Sequence, residues 1–344
     1  MGDACFKIGV VIDFDPSSPG GQGSPYPKLM MRNVGPKEVA QLGLPALPRA
    51  ITSFGAACLE GSIYIYGGHH GQAHRYSRTD QSGELWRLDL KKPSEWHVAA
   101  TGPRLQGLAL VAHGGKLYRL GGFSARNEED EEQDLCSVCD FAEFNPENGE
   151  WKELPPMPTA RSSFDAVVLE DRLYAVGGWA LQGEKETVWQ DGAHALDLSR
   201  TPLEWKPISK PPFRRRALSV GAFNGNVYVI GGMQPDGTVS TETAVYHPQA
   251  DSWREGPRLP GEDMEGFGTD CLSLGDRLYV STSSGNVLCL SNDGESWERV
   301  ARLQAGRFFH RMLSLDKQHL VLLGGASMKS GGFSEVEVVK INAS

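Results

Sequence analysis

"RLYAVGG" occupies residues 172–178, and near copies recur along the chain: SIYIYGG from Ser62, KLYRLGG from Lys116, NVYVIGG from Asn226 and LVLLGG from Leu320. The first glycines of the pairs are Gly67, Gly121, Gly177, Gly231 and Gly324, evenly spaced until the last interval, which is nearly twice as long. Near the middle of that interval DRLYVSTSSG (276–285) follows DRLYAVGG (171–178) closely, until Ser281 and Thr282 stand where the glycines would be. A fixed period decides the architecture before any local reading does, so the chain is read as six units.

A second mark follows the first in five units: Trp96 in SEWHV, Trp151 in GEWKE, Trp205 in LEWKP, Trp253 in DSWRE and Trp297 in ESWER. Between the marks lie short apolar stretches such as LWRLDL, AHALDL and VLCLSN. Alternating or clustered hydrophobes separated by Gly, Pro, Asn or Asp predict four strands per unit, and no long segment has a helical period. Short polar pairs, such as the ED of DAVVLEDRLYAVGG, join the first two strands as tight hairpins. Glycine at the end of the second strand fits a place where a side chain would crowd the neighbouring sheet. Tryptophan on the outer strand offers a large surface to fill the gap between adjacent sheets.

A double glycine after an apolar strand, then an aromatic mark, in units of this length resembles the kelch repeat. That resemblance implies a β-propeller of four-stranded blades. The expected fold is therefore all-β, a six-bladed kelch propeller over residues 38–344 preceded by an N-terminal extension, residues 1–37, that is partly flexible. The last unit has no tryptophan strand, while KEVAQLGLPALPRAITSF (37–54) lines up with GEWKELPPMPTARSSF (149–164) after a two-residue insertion, Val39 taking the tryptophan's place. Residues 38–42 are expected to complete the last blade, leaving no open sheet edge at the seam.

The chain has 344 residues with 41 glycines and 21 prolines, a composition suited to many turns. A net charge of −9 argues against nucleic-acid or anionic-membrane binding, which needs a basic field. No apolar run approaches the ~18 residues of a spanning helix, and IGVVI (8–12) is too short for a secretory signal. A cytoplasmic monomer is expected, with no metal and no cofactor. The pair in CSVC (136–139) supplies two of the four ligands that a structural zinc takes. NEEDEEQD (127–134) reads as a solvated acidic loop.

A repeat specifies a scaffold, so function is sought in the loops. Aligned on PTARSSF, the loops entering each unit carry Arg161, Arg215 and Arg307, with Arg49 and Arg104 one or two places displaced and Glu265 as an acidic interruption. Guanidiniums at one channel mouth suit a carboxylate or phosphate; alternatively they bond loop carbonyls and hold blades together. His69 and Tyr76 follow the first glycine pair and Trp179 the third, adding aromatic and polar side chains suited to a sugar or peptide. The expected function is a binding module for a protein partner or a small anionic or sugar ligand. The alternative is an enzyme, since N-acetylneuraminate epimerases (sialate mutarotases) are similar kelch propellers. That resemblance implies an acid and base near an anomeric carbon, for which Glu265 and His310 are the candidates.

Overall fold

The computed structural model describes residues 43–341, and among them the strands follow the repeats. Repeat one is the antiparallel sheet Gly55–Leu59, Ser62–Tyr66, Glu84–Asp89, His97–Thr101. Repeats two to five begin with the inner strands Ala109–His113, Asp165–Leu169, Ser219–Phe223 and Asp270–Leu274, each the first of a four-stranded sheet. Repeat six contributes Phe308–Ser314, His319–Ser327 and Glu337–Lys340. The expected closing strand, residues 38–42 with Val39, lies outside the described residues.

The glycine pairs meet the steric demand that their spacing implied. Gly177 has φ +78°, and a Cβ there would lie 2.5 Å from the Leu218 side chain of the next repeat. The second glycine of each pair also donates its N–H to the next repeat: Gly68 to Leu105 O, Gly122 to Arg161 O, Gly178 to Arg215 O, Gly232 to Gly266 O, and Gly325 back to Ile51 O. The last of these joins repeat six to the start of repeat one.

One residue in each entry loop has left-handed backbone: Ser53, Gly107, Ser163, Ala217, Gly268 and Phe309, with φ between +51° and +63°. Their peptides bond to one another in a cycle. Gly107 donates to Ser53 O, Ser163 to Gly107 O, Ala217 to Ser163 O, Gly268 to Ala217 O, Phe309 to Gly268 O and Ser53 to Phe309 O, at 2.7 to 3.0 Å. The left-handed turn aims each N–H at its neighbour, which satisfies groups that the inner strands would otherwise leave unpaired.

Beside the cycle Arg311 draws the inner strands together. Its guanidinium donates to Phe54 O and Leu108 O and pairs with Asp165 at 3.2 Å and Asp270 at 2.8 Å. Asp165 accepts from Val220 N and Asp270 from Met312 N. All six inner strands thus supply or adjoin one buried ion cluster. Two carboxyls share one guanidinium here, and desolvation pushes the Asp270 carboxyl up to about 7, opposed by Arg311 and reinforced by Asp165. Burial pulls the Arg311 guanidinium down, but both carboxylates together hold it above its ordinary value.

On the outer strands the indole N–H of Trp205 donates to Pro155 O, that of Trp253 to Ser209 O and that of Trp297 to Pro257 O. Each acceptor belongs to the preceding repeat. Trp96 makes the matching bond to Pro45 O, which aligns with Pro155 in the paired segments quoted above.

A further sheet departs from the repeat pattern. The loops after the glycine pairs of repeats two and three form Phe123–Ala125, Leu135–Ser137, Trp179–Gln182 and Lys185–Trp189. CSVC begins in this sheet: Cys136 is buried and its thiol points to Asp134 Oδ1 at 3.7 Å.

Candidate functional site

All six residues of the backbone cycle line one cavity of about 370 Å3. Its position follows from the fold: the cycle forms its base, and the additional sheet forms one wall through Phe123, Leu135, Trp179 and Leu181. Tyr76, Arg216, Phe267, His310 and Arg311 are among the remaining lining residues. Apolar and aromatic surface dominates, with a few polar groups set into it, the usual composition of a ligand site.

Arg216 is the distinctive charge. Its guanidinium carbon lies 4.1 Å from the Trp179 ring centre and 6.0 Å from that of Trp189. Its Nη2 points to Met233 Sδ at 2.9 Å, and its buried Nε has no partner among the described residues. Desolvation pulls its pKa down, with Tyr76 acting the other way. Arg311, by contrast, is neutralised by its carboxylates and belongs to the framework.

His310 borders the same cavity. Its Nε2 lies 2.6 Å from Ser281 Oγ, and Nδ1 has no partner among the described residues. Burial first, then Arg307 and Arg311, push its pKa down to about 3, so the imidazole is neutral near pH 7. The sheet register pairs Ser281 with Asp270 as Val176 pairs with Asp165, so Thr282 and Ser283, not Ser281 and Thr282, stand in the glycine places, and Ser281 is the residue that orients His310. The Trp179 indole N–H is also buried without a partner among the described residues.

Of the residues singled out from sequence, Tyr76, Trp179 and His310 reach the cavity. His69 is buried beside Tyr76, with ring centres 5.0 Å apart, and bonds Gln72 O through Nε2 rather than lining the space. Arg161, Arg215 and Arg307 are buried within their own repeats and bond the carbonyls of Gly177, Gly231 and Gly324, the first glycine of each pair. Arg215 also donates to Glu242 O, and Arg307 pairs with Glu337 at 2.8 Å. All of these bonds lie within single repeats, and none of the three guanidiniums lines the cavity.

The remaining expectations differ in phase. The places equivalent to Arg161, two residues before the cycle, are held in repeats one, two and five by Ile51, Leu105 and Gly266, not by Arg49, Arg104 or Glu265. Arg49 and Arg104 border a second, polar pocket with His70 and Glu84; Arg49 pairs with Glu84 at 2.8 Å and Arg104 donates to Arg78 O. Glu265 is buried on the short 3-10 turn Asp263–Gly266, outside the axial lining, with Oε2 unpartnered among the described residues. Glu265 and His310 therefore do not share the cavity. Arg216, missed from sequence, stands one residue from the expected Arg215 in FRRRAL (213–218).

Residues 104–158 and 214–260 each match a Kelch motif. The chain carries kelch repeats. Kelch-like protein 40 of Xenopus laevis is 30% identical over 220 residues, covering 62% of this chain and 31% of that protein. Kelch repeat and BTB domain-containing protein 12 of Homo sapiens is 23% identical over 249 residues, 68% of this chain and 39% of the relative. The chain spans about a third of the length of these kelch-like relatives. The solved structure of YjhT superposes with a TM-score of 0.68 at 16% identity, covering 87% of this chain and 99% of that one, which shows a shared fold. Among the described residues no helix is long and apolar enough to cross a membrane.

Proposed function

We propose that the kelch repeats form a six-bladed propeller, residues 38–344, closed by the segment around Val39, and that it binds a segment of a protein partner in the axial cavity. Support for the closure is the cycle of peptide bonds and the Trp96 contact to Pro45. The observation that carries the binding reading is the gathering, around one largely apolar space, of buried polar atoms without partners among the described residues: the donors Arg216 Nε and Trp179 Nε1, and the ring nitrogen His310 Nδ1. Buried polar groups are normally paired, so this concentration fits a site whose acceptors come from an occupant. Arg216 selects a carboxylate, and the aromatic wall accepts an apolar neighbour of that carboxylate. The kelch-like relatives, named for the same repeat, agree with a module of this kind. A reducing, cytoplasmic setting fits the five cysteines among the described residues, all free thiols.

The test uses random dodecapeptides displayed on phage and selected on the immobilised protein. Selected peptides should be enriched in Asp or Glu. Arg216→Ala should weaken them by on the order of 1.5 to 3 kcal/mol, the range for a bond to a charged group. Peptides whose affinity is indifferent to both Arg216→Ala and Trp179→Ala would remove the cavity as their site.

A further inference from the structure

The additional sheet has two unlike edges. Phe123, on one edge strand, is bridged to Gln106 and so joined to the entry loop of repeat two. Lys185–Trp189, the other edge strand, pairs only with Trp179–Gln182 among the described residues. Trp179 uses its own N–H and C=O on Ser162, while Gln190 donates to Gly178 O. The facing pair Trp179 and Trp189 therefore exchanges no backbone bonds. By the alternation of an antiparallel ladder, Thr187 and Trp189 turn their N–H and C=O groups outward.

Natural edges are usually blunted by charge, proline or a bulge. Here the bulge puts its extra residue in this strand, between Lys185 and Val188 opposite Ala180 and Gln182, and the charges of Lys185 and Glu186 lie at that same hairpin end. The other end, Thr187–Val188–Trp189, carries no charge, and Val188 is 50% exposed. That uncharged end stands beside Arg216, which stacks over both tryptophans.

We propose that Lys185–Trp189 is a docking edge to which an extended, acidic segment of a partner protein adds as a fifth strand. This rests on the binding reading above and specifies how the partner enters. Backbone bonds to Thr187 and Trp189 fix its register, and side chains on the Trp189 face lie toward the cavity, where Arg216 takes a carboxylate. Main-chain pairing supplies adhesion without sequence demand; the single cation and the aromatic wall supply the choice of segment.

The experiment measures the phage-selected acidic dodecapeptides against the full chain by fluorescence titration and amide hydrogen exchange. Thr187→Pro removes one outward N–H at an edge position that tolerates proline, and Thr187→Val keeps that N–H. Peptide affinity should fall at least tenfold in Thr187→Pro and stay within about twofold of wild type in Thr187→Val. Peptide should also slow exchange at the Thr187 and Trp189 amides of the wild-type protein, a readout independent of how well the proline variant folds. Loss of binding in Arg216→Ala but not in Thr187→Pro, with no protection of those amides, would overturn the docking edge while leaving the cavity reading intact. Protection that rises with protein concentration in the absence of peptide would mean that a second copy takes the edge, and would also overturn it.

Discussion

At positions 215 and 216 the backbone sends one guanidinium into its own sheet and the next toward the axial cavity. Arg215 is 1% exposed and donates to Gly231 O and Glu242 O, two carbonyls of its own repeat. Desolvation draws its pKa down to about 10, so it remains charged near neutrality. Replacing it by alanine strands the acceptors and opens a cavity. Arg215→Ala should therefore lower unfolding free energy by on the order of 1.5 to 3 kcal/mol. Chemical denaturation should show this loss for Arg215→Ala, with Arg216→Ala close to wild type; equal stabilities would remove the staple assignment. The repeats' register set Arg161, Arg215 and Arg307 at equivalent places, but the side chain at that place turns into its own sheet, and the next residue, Arg216, reaches the cavity. The phase is set by which loop residue adopts left-handed backbone. Ser, Gly, Ala and Phe all occupy that place, so composition does not mark it.

At the scale of elements, the repeated strands were legible because two physical demands recur with them. A Cβ at the first glycine of each pair collides with the next repeat, and four of the five outer-strand tryptophans donate to a carbonyl, Trp151 being the exception among the described residues. Trp297 is 9% exposed and its N–H meets Pro257 O at 3.0 Å. Trp297→Phe keeps most of the packing and leaves that carbonyl unpaired, so a loss of about 1 kcal/mol is expected in equilibrium unfolding. A loss near zero would mean that water replaces the indole without cost. The additional sheet was not legible in the same way. WALQGEK carries a turn at Gly183, but the pairing of Gln182 with Cys136 joins loops from two different repeats, and no local period records a contact between them.

For the whole molecule, the ion cluster links stability to pH. Asp270 has a folded pKa of about 7, above the ~3.9 of an unstructured aspartate. Its protonation thus contributes stability that is fully present below about pH 4 and is lost as pH rises through about 7. Asp270→Asn cannot titrate there. The melting temperature of wild type relative to Asp270→Asn should be higher at pH 4 than at pH 8, by scanning calorimetry at both pH values. Parallel profiles would show that the pair shares its guanidinium without holding a proton. The difference is the needed readout, because His310, pushed down to about 3, and His194, pushed down to about 4 by burial and by Arg161, act oppositely as pH falls through the usual histidine range.

The backbone cycle treats the repeats alike, but Arg311 does not. From repeats one and two it takes a carbonyl, from three and five a carboxylate, and repeat four enters only through Val220 N on Asp165. Each unit therefore holds an address in the ring as well as a shape. Two units exchanged in order would still offer the same peptide groups to the cycle, yet would set carboxylates where Arg311 expects carbonyls. A chain opened at a different loop would keep every neighbour in place. Serial order around the axis is thus information that no single repeat contains, written in one side chain at the centre.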